Sequence, residues 1–209
     1  TDKDKAKKIY QYLQNKTRYI SIQVGIGGLQ PFKAAEVDRL GYGDCKALVN
    51  YMQSLLNVVN IESYYCVVEA GSAKKSLDLS YASMNQGNHI ILCLPLKGDT
   101  TWLECTNQKI AFGFLGDFTD DRYVLACTPN GGKLLKTPKY ASATNLQTRK
   151  ADLILDKEGN VSGKLQTVFS GTQFDNHEEI VDKPFTEQQK LLRSYYNIDN
   201  ISLDKINYQ

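Results

Sequence analysis

Between Cys45 and Val59 the apolar residues Leu48, Val49, Met52, Leu55, Leu56 and Val59 recur at steps of three and four. That period belongs to one face of a helix, and it is the strongest periodic signal in the chain. It predicts a central buried helix beginning at Cys45. Upstream, residues 2–14 carry an apolar stripe at Ile9, Tyr12 and Leu13, with Thr1 or Asp2 as cap. Residues 18–24 alternate as a strand does. Gly25 to Gly28 reads as a loop, and Pro31 opens a short helix that runs to Leu40. Downstream the pattern changes to strands at 61–70, 88–94, 100–105 and 122–127, followed by a turn at Asn130-Gly131-Gly132. The polar stretch 71–87 reads as a long loop.

Composition shifts after about Tyr140. Two further strands, 149–155 and 161–169, flank the turn Asp156-Lys157-Glu158-Gly159-Asn160. A helix from Thr186 to Tyr196, capped by Thr186, and a last strand at 201–208 complete the reading. The fold class is α+β: a helix packed on an antiparallel sheet over residues 1–146, then a small, β-rich and incomplete domain over 147–209.

Composition adds exclusions. The 209 residues hold 25 Lys and Arg against 23 Asp and Glu, a net charge of +2. No electrostatic argument for nucleic acid follows from that balance. No apolar run approaches the roughly 20 residues needed to span a bilayer. The Gly25-Ile26-Gly27-Gly28 run is followed by no Gly-Lys-Ser/Thr, which sets a phosphate loop aside. Five cysteines occur with no close-spaced pair, so neither a metal site nor a redox pair is expected, and no cofactor is implied. Cys66, Cys93 and Cys127 lie in apolar strand-like runs and read as buried free thiols.

Cys45 has different surroundings: Gly41, Tyr42, Gly43, Asp44 and Lys46. A helix N-terminus carries unpaired N–H groups and partial positive charge, which favour a thiolate and a developing oxyanion. Asp44 is placed to cap the helix and Lys46 adds a cation. Cys45 is therefore the candidate nucleophile, and its proton needs a carrier. Only two histidines exist. His177, among Asp175, Asn176, Glu178 and Glu179, reads as a solvated surface residue. His89 opens the strand Asn88-His89-Ile90-Ile91. If Pro95-Leu96-Lys97-Gly98 forms the following loop, Leu94 pairs with Asp99 and His89 falls opposite Glu104. A carboxylate there would fix the imidazole tautomer, and Trp102 on the same side would shield the pair.

Three segments, Gly41-Tyr-Gly-Asp-Cys45-Lys-Ala-Leu, Asn88-His89-Ile-Ile and Trp102-Leu-Glu104-Cys-Thr106, resemble the signature segments of the transglutaminase-like superfamily. They are most similar to the bacterial branch, in which this core lies between two β-rich domains. The stretches Phe112 to Gly116 and Gly131 to Pro138 are similar to that branch too. The resemblance covers residues 5–145, and more loosely the region after 147. It implies a papain-like arrangement and a triad of Cys45, His89 and Glu104. Many members carry Asp where Glu104 stands. It also implies cleavage or transfer of an amide or peptide acyl group through a thioester, with a peptide or protein as substrate. The alternative is an inactive module that binds peptide or acts as a scaffold. Such folds take a second oxyanion donor from upstream of the nucleophile, for which Gln30 is preferred and Gln23 is the other candidate. The resemblance places the protein in the bacterial envelope or periplasm, or outside the cell, with further domains of the same polypeptide beyond this chain.

Overall fold

The computed structural model describes residues 1–208, the side chain of Met84 excepted. The chain forms two compact units, Thr1–Lys139 and a second beginning at Tyr140.

Helix α1 (Asp2–Lys16) starts with a capping box. The Thr1 hydroxyl accepts from the Asp4 N–H, and the Asp4 carboxylate reaches back to the chain start. Its buried stripe is Ala6, Tyr10 and Leu13. The strand expected over 18–24 is confined to β1 (Arg18–Tyr19), which pairs in parallel with β2 (Tyr42–Gly43). Gly25–Gly28 is one 3₁₀ turn, and α2 is shorter than its sequence signal, Ala34–Leu40. Gly41 ends α2 in the left-handed region at φ +69°. Gly43 has no room for a side chain, because a Cβ would lie 2.7 Å from that of Ala47. The chain can therefore pass directly into α3 (Cys45–Val58), as the periodicity predicts.

Five antiparallel strands follow: β3 (Tyr64–Val68), β4 (His89–Leu96), β5 (Asp99–Leu103), β6 (Tyr123–Thr128) and β7 (Gly131–Lys136). Their order across the sheet is β5-β4-β3-β6-β7. The residues read as a turn at Gly131-Gly132 open β7 instead, because Gly131 and Gly132 are drawn into the ladder opposite Thr128 and Cys127. Two apolar clusters follow from the pleat. One joins Leu48, Met52 and Leu56 of α3 and the stripe of α1 to Ile90, Leu92, Leu94 and Leu103. The other gathers Cys66, Val68, Ile91, Cys93, Trp102, Leu115, Val124 and Ala126. Strand β4 is thus apolar on both faces, which explains its unbroken hydrophobic run. Cys127 departs from its expected burial: β6 buries Val124 and Ala126 and leaves Cys127 on the exposed parity.

The second unit contains a hairpin of β8 (Gln147–Leu155) and β9 (Val161–Phe169), a short helix α4 (Thr172–Asp175) and α5 (Phe185–Tyr196). The Asp156 carboxylate closes the hairpin turn by accepting from the Glu158 and Asn160 N–H groups. Segment 141–146 joins this unit through hydrogen bonds from Leu146 to Ser170 and from Thr172 to Asn145. Helix α5 begins after Pro184 and not at a Thr186 cap, and residues 201–208 form no strand. His177 is not solvated as its charged neighbours suggest. Its ring stacks on Phe169 at 4.2 Å, and its Nδ1 lies 2.6 Å from the Gln173 carbonyl oxygen.

Candidate active site

Cys45 is the first residue of α3. Asp44 stands immediately before it and accepts the Ala47 N–H at 3.0 Å, so the carboxylate caps the helix. Its other oxygen is bound by Lys46 Nζ. The cation expected beside Cys45 is therefore committed to Asp44, and the two buried charges offset one another. In the first helical turn the Ala47 N–H is spent on this cap, and the N–H groups of Cys45 and Lys46 have no carbonyl partner within the helix.

His89 is the first residue of β4, and Glu104 lies one residue beyond β5. His89 Nε2 is 2.8 Å from Glu104 Oε2. The hairpin that brings them together differs from its expected form. Leu96 pairs with Asp99, so the loop is only Lys97-Gly98, with Gly98 at φ +77°. The register moves by two residues, not one. His89 and Glu104 thus keep the same side of the sheet and meet diagonally. Burial is nearly complete for all three side chains: Cys45 is 4% exposed, His89 9% and Glu104 5%.

Several further groups hold this arrangement, and sequence reasoning had no signal for most of them. Thr106 donates to Glu104 Oε1 twice, from its N–H at 2.9 Å and its hydroxyl at 2.6 Å. Both carboxylate oxygens are thereby engaged. From α1, the Tyr10 hydroxyl donates to the Glu104 carbonyl at 2.6 Å, and Gln14 donates to the Asn107 and Ile110 carbonyls. The segment carrying the acid is thus tied to the first helix. Asn88 bridges both backbone groups of Ala70 and so clamps the start of β4 to the end of β3. Phe118 lies edge-on to the His89 ring at 5.6 Å. Arg122, fully buried, donates to the carbonyls of Glu69, Gly71, Asp117 and Asp120, and the Gly71 N–H donates to the Phe118 carbonyl. One guanidinium therefore fixes both segments around the histidine.

The electrostatics follow from this packing. Burial disfavours a charged His89, but the Glu104 carboxylate and hydrogen bonding to Cys45 and Glu104 outweigh it. The imidazole is pushed up to about 10. Burial likewise disfavours a charged Glu104, and here the His89 cation and the two Thr106 donors win, holding the carboxyl below its ordinary range. The pair is an imidazolium beside a carboxylate.

Trp102 pairs with Cys93 and packs into the second apolar cluster. Gln23 and Gln30 are both exposed, and among the described residues neither side chain hydrogen-bonds to Cys45, His89 or Glu104. No group of three or more His, Cys, Asp and Glu able to hold a metal ion occurs among the described residues. No helix among them is long and apolar enough to cross a membrane.

No family model matches the chain, and no curated protein matches it. One solved structure is similar, a crystal structure described as that of a "putative protease" from Parabacteroides distasonis. It aligns at a TM-score of 0.50 and 15% identity, over 66% of this chain and 24% of that one. At that identity the likeness shows the fold alone, and this chain spans about a quarter of the length of that protein.

Proposed function

We propose that this chain is a transglutaminase-like cysteine hydrolase that cleaves an amide or peptide bond. The observation that carries the reading is the buried chain of contacts from Cys45, at the start of α3, through His89 to Glu104 at 2.8 Å. Because Nε2 of His89 is engaged by Glu104, Nδ1 is the nitrogen left for the thiol. With the thiol proton already held by His89 as imidazolium, Cys45 Sγ attacks the carbonyl carbon as the thiolate, a C–S bond forms and the carbonyl electron pair moves to oxygen. The tetrahedral species then collapses. The C–N bond breaks, and His89 gives its proton to the departing amine. Water attacks the thioester, losing a proton to the now neutral His89 as the C–S bond breaks, which restores the Cys45 thiolate beside the His89 imidazolium. The fold likeness to a protein described as a protease is compatible with this chemistry.

The near-complete burial of Cys45 favours a second reading, a module that binds peptide without turning it over. One experiment separates the two. The rate of iodoacetamide alkylation at each cysteine is measured against pH by mass spectrometry, in the native protein and in His89→Ala. The hydrolase reading expects Cys45 to react well below pH ~8.5, the ordinary thiol value, and to lose that low-pH reactivity in His89→Ala. A Cys45 as inert as Cys66 and Cys93 sinks it and leaves the binding module.

A further inference from the structure

Acyl transfer at Cys45 needs donors for the oxygen that becomes negative, and the first turn of α3 supplies only backbone N–H groups from one side. Tyr65 offers a second donor from the sheet. It lies in the middle of β3, paired with Leu92 on β4 and Cys127 on β6. That parity turns it toward α3, and its ring packs against the apolar cluster that contains Cys45, Leu48 and Leu92. The ring is half-buried, and among the described residues its hydroxyl has no hydrogen-bond partner. The contrast with its neighbours is informative. The Tyr10 hydroxyl is spent on Glu104, that of Tyr51 on Asp38 and that of Tyr64 on Glu62. A half-buried tyrosine that leaves its O–H unspent keeps a donor available to a ligand. Burial, followed by the influence of Cys45 and Asp44, holds this phenol well above its ordinary range, so it stays protonated throughout the working pH.

We infer that the Tyr65 hydroxyl is the second donor to the oxyanion formed when Cys45 is acylated. This rests on the hydrolase reading above and adds a catalytic residue to it. The O–H donates a hydrogen bond without transferring its proton, so the acylation steps balance as already written.

The test uses two reactions of one sulfur. Iodoacetamide alkylation displaces iodide at a saturated carbon and builds no oxyanion. Acylation by p-nitrophenyl acetate forms a C–S bond, passes through an oxyanion and expels p-nitrophenolate. Both rates are read at the Cys45 peptide by mass spectrometry, in the native chain and in Tyr65→Phe. The variant removes a single oxygen, and an unchanged alkylation rate shows that the site still stands. The expected result is acylation slowed roughly 100-fold, the scale of losing one oxyanion donor, with alkylation unchanged. Acylation slowed in proportion to alkylation, or not slowed at all, overturns the assignment to Tyr65 and leaves the hydrolase reading in place. A native Cys45 that alkylates but is not acylated overturns both.

Discussion

Glu104 holds the most demanding position of any single residue. It is buried, charged and dependent on three donors: His89 Nε2, the Thr106 N–H and the Thr106 hydroxyl. Thr106→Val removes one charge-assisted bond and leaves a carboxylate lone pair in an apolar setting. The expected loss is about 2 kcal/mol of stability, read as a lower urea midpoint. Cys45 alkylation should slow as the carboxylate loosens its hold on the ring. Sequence reasoning singled out Cys45, His89 and Glu104 because a cysteine in a glycine-rich approach, a lone strand histidine and a nearby acid are recognisable by residue type. It passed over Thr106, Tyr10 and Phe118. Thr, Tyr and Phe are ordinary in cores and turns, and nothing in their spacing announces whom they touch.

The site is built where elements end. Helix α3 begins at Cys45, β4 begins at His89, and Glu104 follows directly on β5. The cap of α3 therefore stands directly beside Cys45. Asp44→Ala should cost about 1 kcal/mol for the lost cap, and more besides, because Lys46 is left as a buried cation without its partner. Asp44→Asn keeps a cap acceptor and should cost less. Thermal unfolding of the two variants ranks them, and equal losses would mean that the cap acceptor adds nothing beyond the lost ion pair. The hairpin between β4 and β5 shows where reading by element fails. A loop of four or of two residues satisfies the same hydrophobic pattern, since both keep parity. The glycine at a positive φ and the pairing of Leu96 with Asp99 settle it in favour of two.

For the first unit as a whole, the His89–Glu104 pair makes stability depend on pH. His89 is raised to about 10 in the folded chain, against an unfolded value of about 6.5. Between those values the folded state therefore binds more protons than the unfolded chain. Its stabilising contribution is complete below about pH 6.5 and is lost progressively toward about pH 10. Glu104 acts in the opposite sense. Its lowered value contributes above the unfolded value of about 4.5, and that contribution fades as pH falls below it. The unit should be most stable between about pH 4.5 and 6.5, and its urea midpoint should fall on moving from pH 6 to pH 9. In Glu104→Gln the fall should be much shallower, because the imidazole loses its counter-charge. A native profile that is flat from pH 6 to 9 would show that His89 is not held as an imidazolium.

The amino-acid sequence by itself determined most of the helices and strands of the first unit and singled out Cys45, His89 and Glu104. The period of α3, the capping box at Thr1 and the hairpin turn at Asp156 are local, decided by neighbours within a few residues. So is the contrast between Cys45 and the thiols of the strands. What tertiary structure alone decided is non-local. It set the register that makes His89 and Glu104 diagonal partners, and the diversion of Lys46 onto Asp44. It turned His177 into an aromatic stack and bound four carbonyls to Arg122, whose donors reach back across 53 residues to Glu69. The physical reason is the same in each case. Backbone periodicity is written along the chain, whereas a buried hydrogen bond or ion pair depends on which distant groups the packed core leaves within about 3 Å of one another.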